Sequence, residues 1–254
     1  MKLTCEACCG RGALRQENQD NLFINGAWRD DLAKQELQIF CDAAEEGIYA
    51  VCDGMGGEHF GEKASLLAAQ SLKDVSVQDF YDRGSDYLRE MNQGICHLMR
   101  QRHARIGTTF VGLTVIGERA RVINVGDSRA YLLRDGELVK LSHDHTQTQR
   151  LLDMGLVTPK QAMTHPDRHR LTQHLGIFPE EMIIEPYVCD LPALQQKDLF
   201  LLCSDGLTDI LSNEEIAHFL ERPSKLPEKA DGLYRAAMAR GGRDNITVLL
   251  VYVV

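Results

Sequence analysis

The sequence predicts an α+β protein in which antiparallel β-sheets pack together and are covered by helices. In the middle of the chain, four short β-rich runs are separated by Gly-containing turns: TTFVGLTVIG, ARVINVG, RAYLLRDG and ELVKLS. Such short turns join antiparallel strands, because parallel strands need long crossovers. The helical patterns are inserted between strand-rich halves, which argues against the regular strand–helix alternation of a Rossmann-type fold.

Other strands are expected towards both ends of the chain, where short apolar runs meet polar or Gly-rich turns. They are expected near residues 2–9, 21–24, 48–52, 183–189, 198–203 and 246–253. The dipeptide Asp135-Gly136, between two of the central runs, predicts a hairpin turn.

Residues at helical spacing predict three helices. Two follow the DGMGG sequence, and the third precedes the last strand. Their inner faces are expected to comprise Ala64, Leu67, Ala68, Ser71 and Leu72, then Tyr87, Met91, Ile95, Leu98 and Met99, then Leu226, Ala230, Leu233 and Ala237. Since no repeat or linker interrupts these elements, we expect a single domain over residues 1–254.

The composition excludes several classes of protein. Hydrophobic residues make up 44% of the 254 residues and charged residues 26%, which is typical of a globular protein rather than a disordered chain or a fibre. The net charge of −9 gives no long-range attraction to nucleic acid or an anionic membrane. No apolar run approaches the ~20 residues of a membrane helix, and the N terminus lacks the apolar part of a secretory signal, so we expect a cytoplasmic protein.

The eight cysteines allow two interpretations. Cys5, Cys8 and Cys9 suit a zinc or redox site, but no second Cys or His pair has a matching spacing. Several cysteines lie inside apolar runs, as in YAVCDG and FLLCSDG. We therefore favour small buried side chains in a reducing compartment.

Acidic residues recur where predicted strands end, and Asp20 lies just before a predicted strand. The segments are RQENQDN, VCDGMGG, INVGDSR, LLCSDGLTD and GGRDNITV, which contain Asp20, Asp53, Asp127, Asp205 with Asp209, and Asp244. Asp is common in turns, so one such residue would mean little. If the whole set converges, it needs a counter-charge, because two carboxylates 4 Å apart repel by about 4 kcal/mol at an effective dielectric constant of 20. An all-oxygen ligand set favours Mg²⁺ or Mn²⁺ over zinc.

These motifs carry a family resemblance. The ordered set RQENQD, VCDGMGGE, GTT, VGDSRAYLLRDGEL, SHDHT, LTQHLG, LCSDGLTD and GGRDNITVLLV resembles the bacterial branch of the metal-dependent Ser/Thr protein phosphatases of type 2C. The resemblance covers nearly the whole chain. It implies a four-layer sandwich, in which two antiparallel sheets are flanked by helices on both sides.

The resemblance also implies a role for individual residues. Asp53 would bridge two Mn²⁺ or Mg²⁺ ions, and the Gly54 carbonyl would bind one of them. Further roles would fall to Asp205 and Asp244 as ligands of the other ion, Asp20 near the metals through water, Asp127 and Asp209 at a third and weaker site, Arg15 on the substrate phosphate, and Asn245 and Gln19 as supporting residues.

By the same resemblance, a hydroxide that bridges the two metals would attack the phosphorus of phosphoserine or phosphothreonine directly, without a covalent intermediate. The expected partners are phosphorylated proteins and a bacterial Ser/Thr kinase that the enzyme opposes, and we expect a monomer. Two alternatives remain. One is a catalytically weak signalling or partner-binding module on the same fold, and the other is an unrelated sheet domain whose acids only occupy turns.

The chain departs from the family pattern at two positions. Gln19 replaces a Glu found in many relatives, and a neutral amide cancels no charge. Met55 occupies the position of a His that eukaryotic relatives use as a proton donor, and a thioether cannot donate a proton. A metal-bound water or His59 would then protonate the leaving group, although a solvated loop histidine is the reading that we favour for His59.

Residues 143–176 match the flap segment of bacterial relatives. The segment contains five of the nine histidines, at positions 143, 145, 165, 169 and 174. A histidine cluster can bind metal, but no cysteine supports a zinc site here. We expect a mobile, substrate-facing flap in which Arg168 and Arg170 help to receive phosphopeptides.

Overall fold

The computed structural model of the chain describes residues 1–56 and 60–254. His59, considered above as a proton donor, lies outside the described residues. The described strands form two stacked antiparallel sheets. In chain order they are β1 (Leu3–Gly10), β2 (Asp20–Ile24), β3 (Ala27–Trp28), β4 (Gln38–Ala44), β5 (Gly47–Met55), β6 (Gly107–Thr108), β7 (Phe110–Ile116), β8 (Arg119–Val125), β9 (Arg129–Arg134), β10 (Glu137–Lys140), β11 (Tyr187–Asp190), β12 (Leu199–Cys203) and β13 (Ile246–Val253).

One sheet has the order β10-β9-β12-β13-β1-β4, and the other has the order β11-β8-β7-β5-β2-β3, with β6 paired to β5. All pairs between these strands are antiparallel, as the short turns predict. The Asp135-Gly136 hairpin is confirmed: both residues have positive φ, 51° and 81°, which suits a two-residue turn between β9 and β10.

Helices cover the outer face of each sheet. The described helices are α1 (Gly61–Gln70), α2 (Val77–Arg102), α3 (Gln147–Asp153), α4 (Pro159–Ala162), α5 (Asp205–Thr208), α6 (Asn213–Glu221) and α7 (Leu226–Ala239). The apolar faces of α1 and α2 pack on the β5–β7 side, and α6 and α7 pack on the β12–β13 side. A third apolar cluster lies between the two sheets. The predicted four-layer sandwich is therefore confirmed.

The first strand explains the cysteine-rich N terminus. Cys5 and Cys9 point into the cluster between the sheets, and Cys8 belongs to the cluster under α7. All three thiols are free and buried. Burial is the largest influence on Cys9 and raises the pKa of its thiol to about 11, so Cys9 stays protonated at neutral pH.

Several elements differ from the prediction, and the short elements β3 and α5 were not expected. The edge strand β4 was not expected, because its residues alternate between half-buried and exposed positions and its sequence, QIFCDAA, has few β-branched residues. Helix α6 was also not predicted. The sequence does contain its capping-box pattern, in which Ser212 and Glu215 bond to each other's backbone at the start of the helix. The strand expected at 183–189 is shorter and begins only at Tyr187. Among the described residues, no helix is both long and apolar enough to cross a bilayer.

Candidate active site

The acidic motifs meet at one end of the sandwich. Asp20 begins β2 and lies opposite Asp53, near the end of the paired strand β5. Asp127 follows β8 by two residues, and in the other sheet Asp205 follows β12 while Asp244 precedes β13. A cleft of about 660 Å³ opens there, and eight of the ten predicted site residues line it: Arg15, Gln19, Asp53, Gly54, Asp127, Asp205, Asp244 and Asn245.

The backbone around Asp53 is fixed by the GTT motif. The Asp53 N–H donates to Thr109 Oγ1 at 3.0 Å. The Asp53 carbonyl accepts from the Thr109 N–H at 2.8 Å and from Thr108 Oγ1 at 2.9 Å. Thr109 Oγ1 in turn lies 2.6 Å from Ser128 Oγ, beside Asp127. These contacts hold the end of β5 in a single position relative to the Asp127 turn.

Asp20 lies beneath the cleft and is completely buried. Its Oδ2 accepts hydrogen bonds from Ser204 Oγ at 2.8 Å and from Thr247 Oγ1 at 2.7 Å. Its Oδ1 is also buried but has no hydrogen-bond partner among the described residues. A buried carboxylate oxygen without a partner is costly, so this atom indicates a missing water or cation.

Gly54 occupies a position that no larger residue fits. A Cβ on Gly54 would lie 2.3 Å from the carbonyl oxygen of Gly61 and 2.5 Å from that of Gln19. The Gly54 N–H donates to the same Gln19 carbonyl at 3.2 Å, and Ser65 Oγ also donates to it. The Gln19 main chain therefore joins the cleft to α1.

Asn245 connects the N-terminal loop to β13. Its Nδ2 donates to the carbonyls of Arg11 and Glu17, each at 2.9 Å, and its Oδ1 accepts from the Gln19 N–H at 2.8 Å. The loop so held contains Arg15, whose Nη2 lies 2.6 Å from Asp244 Oδ2. Asn245 is almost fully buried and joins the N-terminal loop to β13 through these hydrogen bonds, whereas Arg15 is largely exposed at the mouth of the cleft.

The carboxylates perturb one another. Burial, and then the charges of Asp20 and Asp205, raise the pKa of Asp53 well above its usual value. Burial and Asp127 do the same to Asp205. Burial also raises the pKa of Asp20 to about 6 and that of Asp127 to about 7. Such a set is unstable in its fully charged form without cations.

The flap brings a histidine to the edge of the acidic cluster. His169 Nδ1 lies 3.3 Å from Asp209 Oδ2. Ligand atoms of His169, Asp205 and Asp209 all lie within 4.8 Å of one another, so Asp209 joins the cluster from a cavity beside the cleft. Arg168 lines the same cavity, while the carbonyl of Arg170 accepts from the Gln147 N–H at 2.8 Å and fixes the flap backbone.

Several supporting residues were not singled out from the sequence. They are the hydroxyl residues Thr108, Thr109, Ser204 and Thr247, together with Arg29, which is fully buried and whose Nη1 donates to the carbonyls of Asn18 and Asp20 at 2.8 Å. The sequence contained a signal for the hydroxyl residues, since each belongs to a quoted motif: GTT, LCSDGLTD or GGRDNITV. Arg29 lies in no motif, so nothing in the sequence marked it.

Comparison with known proteins gives the same family as the motifs. The family model "Protein phosphatase 2C" matches residues 13–151 and 161–246. The Ser/Thr phosphatase stp of Listeria welshimeri is 33% identical over 251 residues, 95% of this chain and 92% of that protein. The Ser/Thr protein phosphatase PstP of Mycobacterium tuberculosis is 32% identical over 253 residues. That match covers 96% of this chain but 44% of PstP, so the chain spans less than half of that relative.

A solved structure of the PstP catalytic domain, in complex with two manganese ions, superposes on this chain with a TM-score of 0.79. The two are 30% identical, and each chain is covered completely. The fold and the family that the motifs predict are thereby confirmed, and the chain belongs to the protein phosphatase 2C family.

Proposed function

We propose that the chain is a metal-dependent protein phosphatase that hydrolyses phosphoserine and phosphothreonine. The observation that carries the proposal is the convergence of Asp53, Asp127, Asp205 and Asp244 on one cleft, with Arg15 at its mouth. Net negative charge at this cleft would repel a phosphate ester. The arrangement is useful for such a substrate only when cations occupy it.

The donor set fits Mn²⁺ or Mg²⁺. Each predicted ligand of the two tight sites offers carboxylate or carbonyl oxygen, which these hard cations prefer. The Oδ1 of Asp20, which has no hydrogen-bond partner in the described part of the chain, and the raised pKa values of Asp53 and Asp205 both support a cation at this place. Asp53, the Gly54 carbonyl, Asp205 and Asp244 would hold the ions, with Asp53 as the ligand that the two ions would share.

Bound divalent cations would supply the nucleophile, because they lower the pKa of a coordinated water. The residues of the chain would orient the water and hold the substrate phosphate. Asp20, held by two hydroxyl donors, would orient water at the floor of the cleft. Arg15 would hold the phosphate oxygens, because a guanidinium can donate two parallel hydrogen bonds to a phosphate group. Asn245 would keep the Arg15 loop in place.

A third, weaker cation site is part of the proposal. Asp127 and Asp209 were expected to form it, and the proximity of His169 to Asp209 and Asp205 supports a site at this edge. A kinase that phosphorylates the substrate proteins is the expected partner, since a phosphatase needs an enzyme that makes its substrate. The monomeric state, the cytoplasmic location and the single domain over residues 1–254 stay predictions.

No observation favours the alternative of a catalytically weak binding module, because the predicted ligands of the two tight sites are all present and converge. The test is hydrolysis of p-nitrophenyl phosphate and of a phosphothreonine peptide. We expect turnover with Mn²⁺ or Mg²⁺ and none in EDTA. Asp53→Ala and Asp205→Ala should each lower kcat by at least about 100-fold.

Asp86→Ala is the matched control, because Asp86 is an exposed carboxylate on α2 whose ion pairs, among the described residues, are with arginines of the same helix. It should leave turnover unchanged. Metal titration of Asp209→Ala in the same series tests the third site, which should weaken while the two tight sites persist. Full activity in EDTA would defeat the metal proposal.

A further inference from the structure

Another cavity beside the catalytic cleft, of about 400 Å³ and different from the one described above, is lined by three arginines. Arg168 comes from the flap, Arg240 follows α7, and Arg243 lies in the turn before β13. We call these three residues the arginine pocket. The cavity adjoins the catalytic cleft, because His169 and Asp244 line both.

Two of these arginines have no ion-pair partner among the residues that the structure describes. Arg240 donates to Glu215 through both of its terminal nitrogens. Arg168 and Arg243 are exposed, and across residues 1–56 and 60–254 neither guanidinium makes a hydrogen bond or an ion pair. What distinguishes these two guanidinium groups is their place beside the cleft that would bind the substrate phosphate.

The acidic residues of the cavity offset this pair only in part, since Arg168 acts electrostatically on Asp209 but forms no ion pair with it among the described residues. Asp209 is paired with His169, and Asp244 is paired with Arg15. Under the proposed function, both carboxylates also face bound cations, which would make the cavity more positive during turnover. A ligand that enters the cavity would therefore meet the positive charges of Arg168 and Arg243.

We propose that the arginine pocket binds an acidic side chain of the substrate, close in sequence to the phosphoserine or phosphothreonine that is hydrolysed. This inference rests on the proposed function and adds a substrate preference to it. The shared chemistry is an oxyanion group, supplied by Asp or Glu or by a second phosphorylated residue. A guanidinium suits either source, because its fork matches carboxylate and phosphate oxygens.

The experiment compares kcat/KM for three sets of phosphothreonine peptides at saturating Mn²⁺. One set is otherwise uncharged, one carries a Glu within three residues on either side, and one carries a second phosphothreonine there. We expect the acidic peptides to be preferred on the order of threefold to tenfold. The preference should shrink as salt rises from about 0.05 M to 0.5 M, because exposed charges are screened.

The variants Arg168→Gln and Arg243→Gln, and the double variant, test whether these two arginines cause the preference for acidic peptides. The ratio of kcat/KM for acidic over neutral peptides should fall towards one in the double variant, and this ratio cancels any general loss of activity. Arg89→Gln, on the helical layer of the other sheet, should keep the wild-type ratio. Comparing the Glu-containing peptides with the doubly phosphorylated peptides shows whether the pocket prefers a carboxylate or a phosphate group.

Two results would overturn the inference alone: equal kcat/KM of the wild-type enzyme for neutral and acidic peptides, or a preference that survives in the double variant. A wild-type enzyme that hydrolyses none of the peptides with Mn²⁺ would overturn the proposed function and this inference together.

Discussion

Asp20 shows how a single residue is prepared for a ligand from outside the chain. Its carboxylate is buried, one oxygen is held by two hydroxyls, and the other is left without a partner among the described residues. The motif RQENQD marked Asp20, but it could not show the hydroxyl donors. Ser204 and Thr247 lie 184 and 227 residues further along the chain, so only the folded sheets bring them to Asp20.

Arg15 can be tested at the same scale. Arg15→Ala should raise KM for p-nitrophenyl phosphate by roughly tenfold or more with a smaller effect on kcat, since a hydrogen bond between charged groups contributes about 1.5–3 kcal/mol. Arg15→Lys should lie in between, because it keeps the charge and loses the fork. The measurement is steady-state kinetics at saturating Mn²⁺. Leu14→Ala changes the exposed neighbour and serves as the control, and an unchanged KM in Arg15→Ala would remove Arg15 from the phosphate site.

At the scale of elements, the sequence predicted strands and helices where one face is continuously apolar. Strand β13, ITVLLVYV, is buried along almost its whole length and was easy to find. The edge strand β4 was not, because pairing to one neighbour and partial exposure leave little hydrophobic signal. The sequence predicts the flap as a segment, but the contacts at its base join Asp144, in the loop after β10, to residues of β9 and β10.

Asp144, in the SHDHT motif, is expected to stabilise the base of the flap through ion pairs. Arg129, at the start of β9, donates to Asp144 Oδ2 at 2.9 and 2.7 Å, and Lys140 of β10 donates to Oδ1 at 3.2 Å. Burial opposes ionisation of Asp144, but Arg129 and Lys140 outweigh it and lower its pKa. Asp144→Ala leaves a mostly buried cation unpaired, so we expect a loss of about 3 kcal/mol or more in the free energy of unfolding.

Urea unfolding of the metal-free protein measures this loss. The control is Asp153→Ala in α3, because Asp153 pairs with His143 in an exposed position, and its removal should cost less than about 1 kcal/mol. Equal losses in the two variants would show that the buried ion pair does not anchor the base of the flap.

At the scale of the whole molecule, folding of the sandwich brings together carboxylates that are far apart in the sequence. Asp20 and Asp244 are more than two hundred residues apart in sequence, yet the charge of Asp244 raises the pKa of Asp20, after burial as the main cause. The sequence could predict that acids end the strands, but not that the ends meet, because convergence depends on the order of strands in both sheets. Folding without metal therefore works against repulsion at one end of the molecule.

That repulsion makes thermal stability depend on metal and on Asp53. Mn²⁺ at about 100 times its dissociation constant should raise the free energy of unfolding by about 2.7 kcal/mol, which is roughly 5 to 10 °C in Tm. Without metal, Asp53→Asn should have a higher Tm than the wild type, because one buried charge is removed. Mn²⁺ should raise the Tm of this variant much less than that of the wild type. Calorimetry with and without EDTA measures both, and Asp86→Asn is the exposed control. If Asp53→Asn kept the full Mn²⁺ shift, Asp53 would not be a shared ligand.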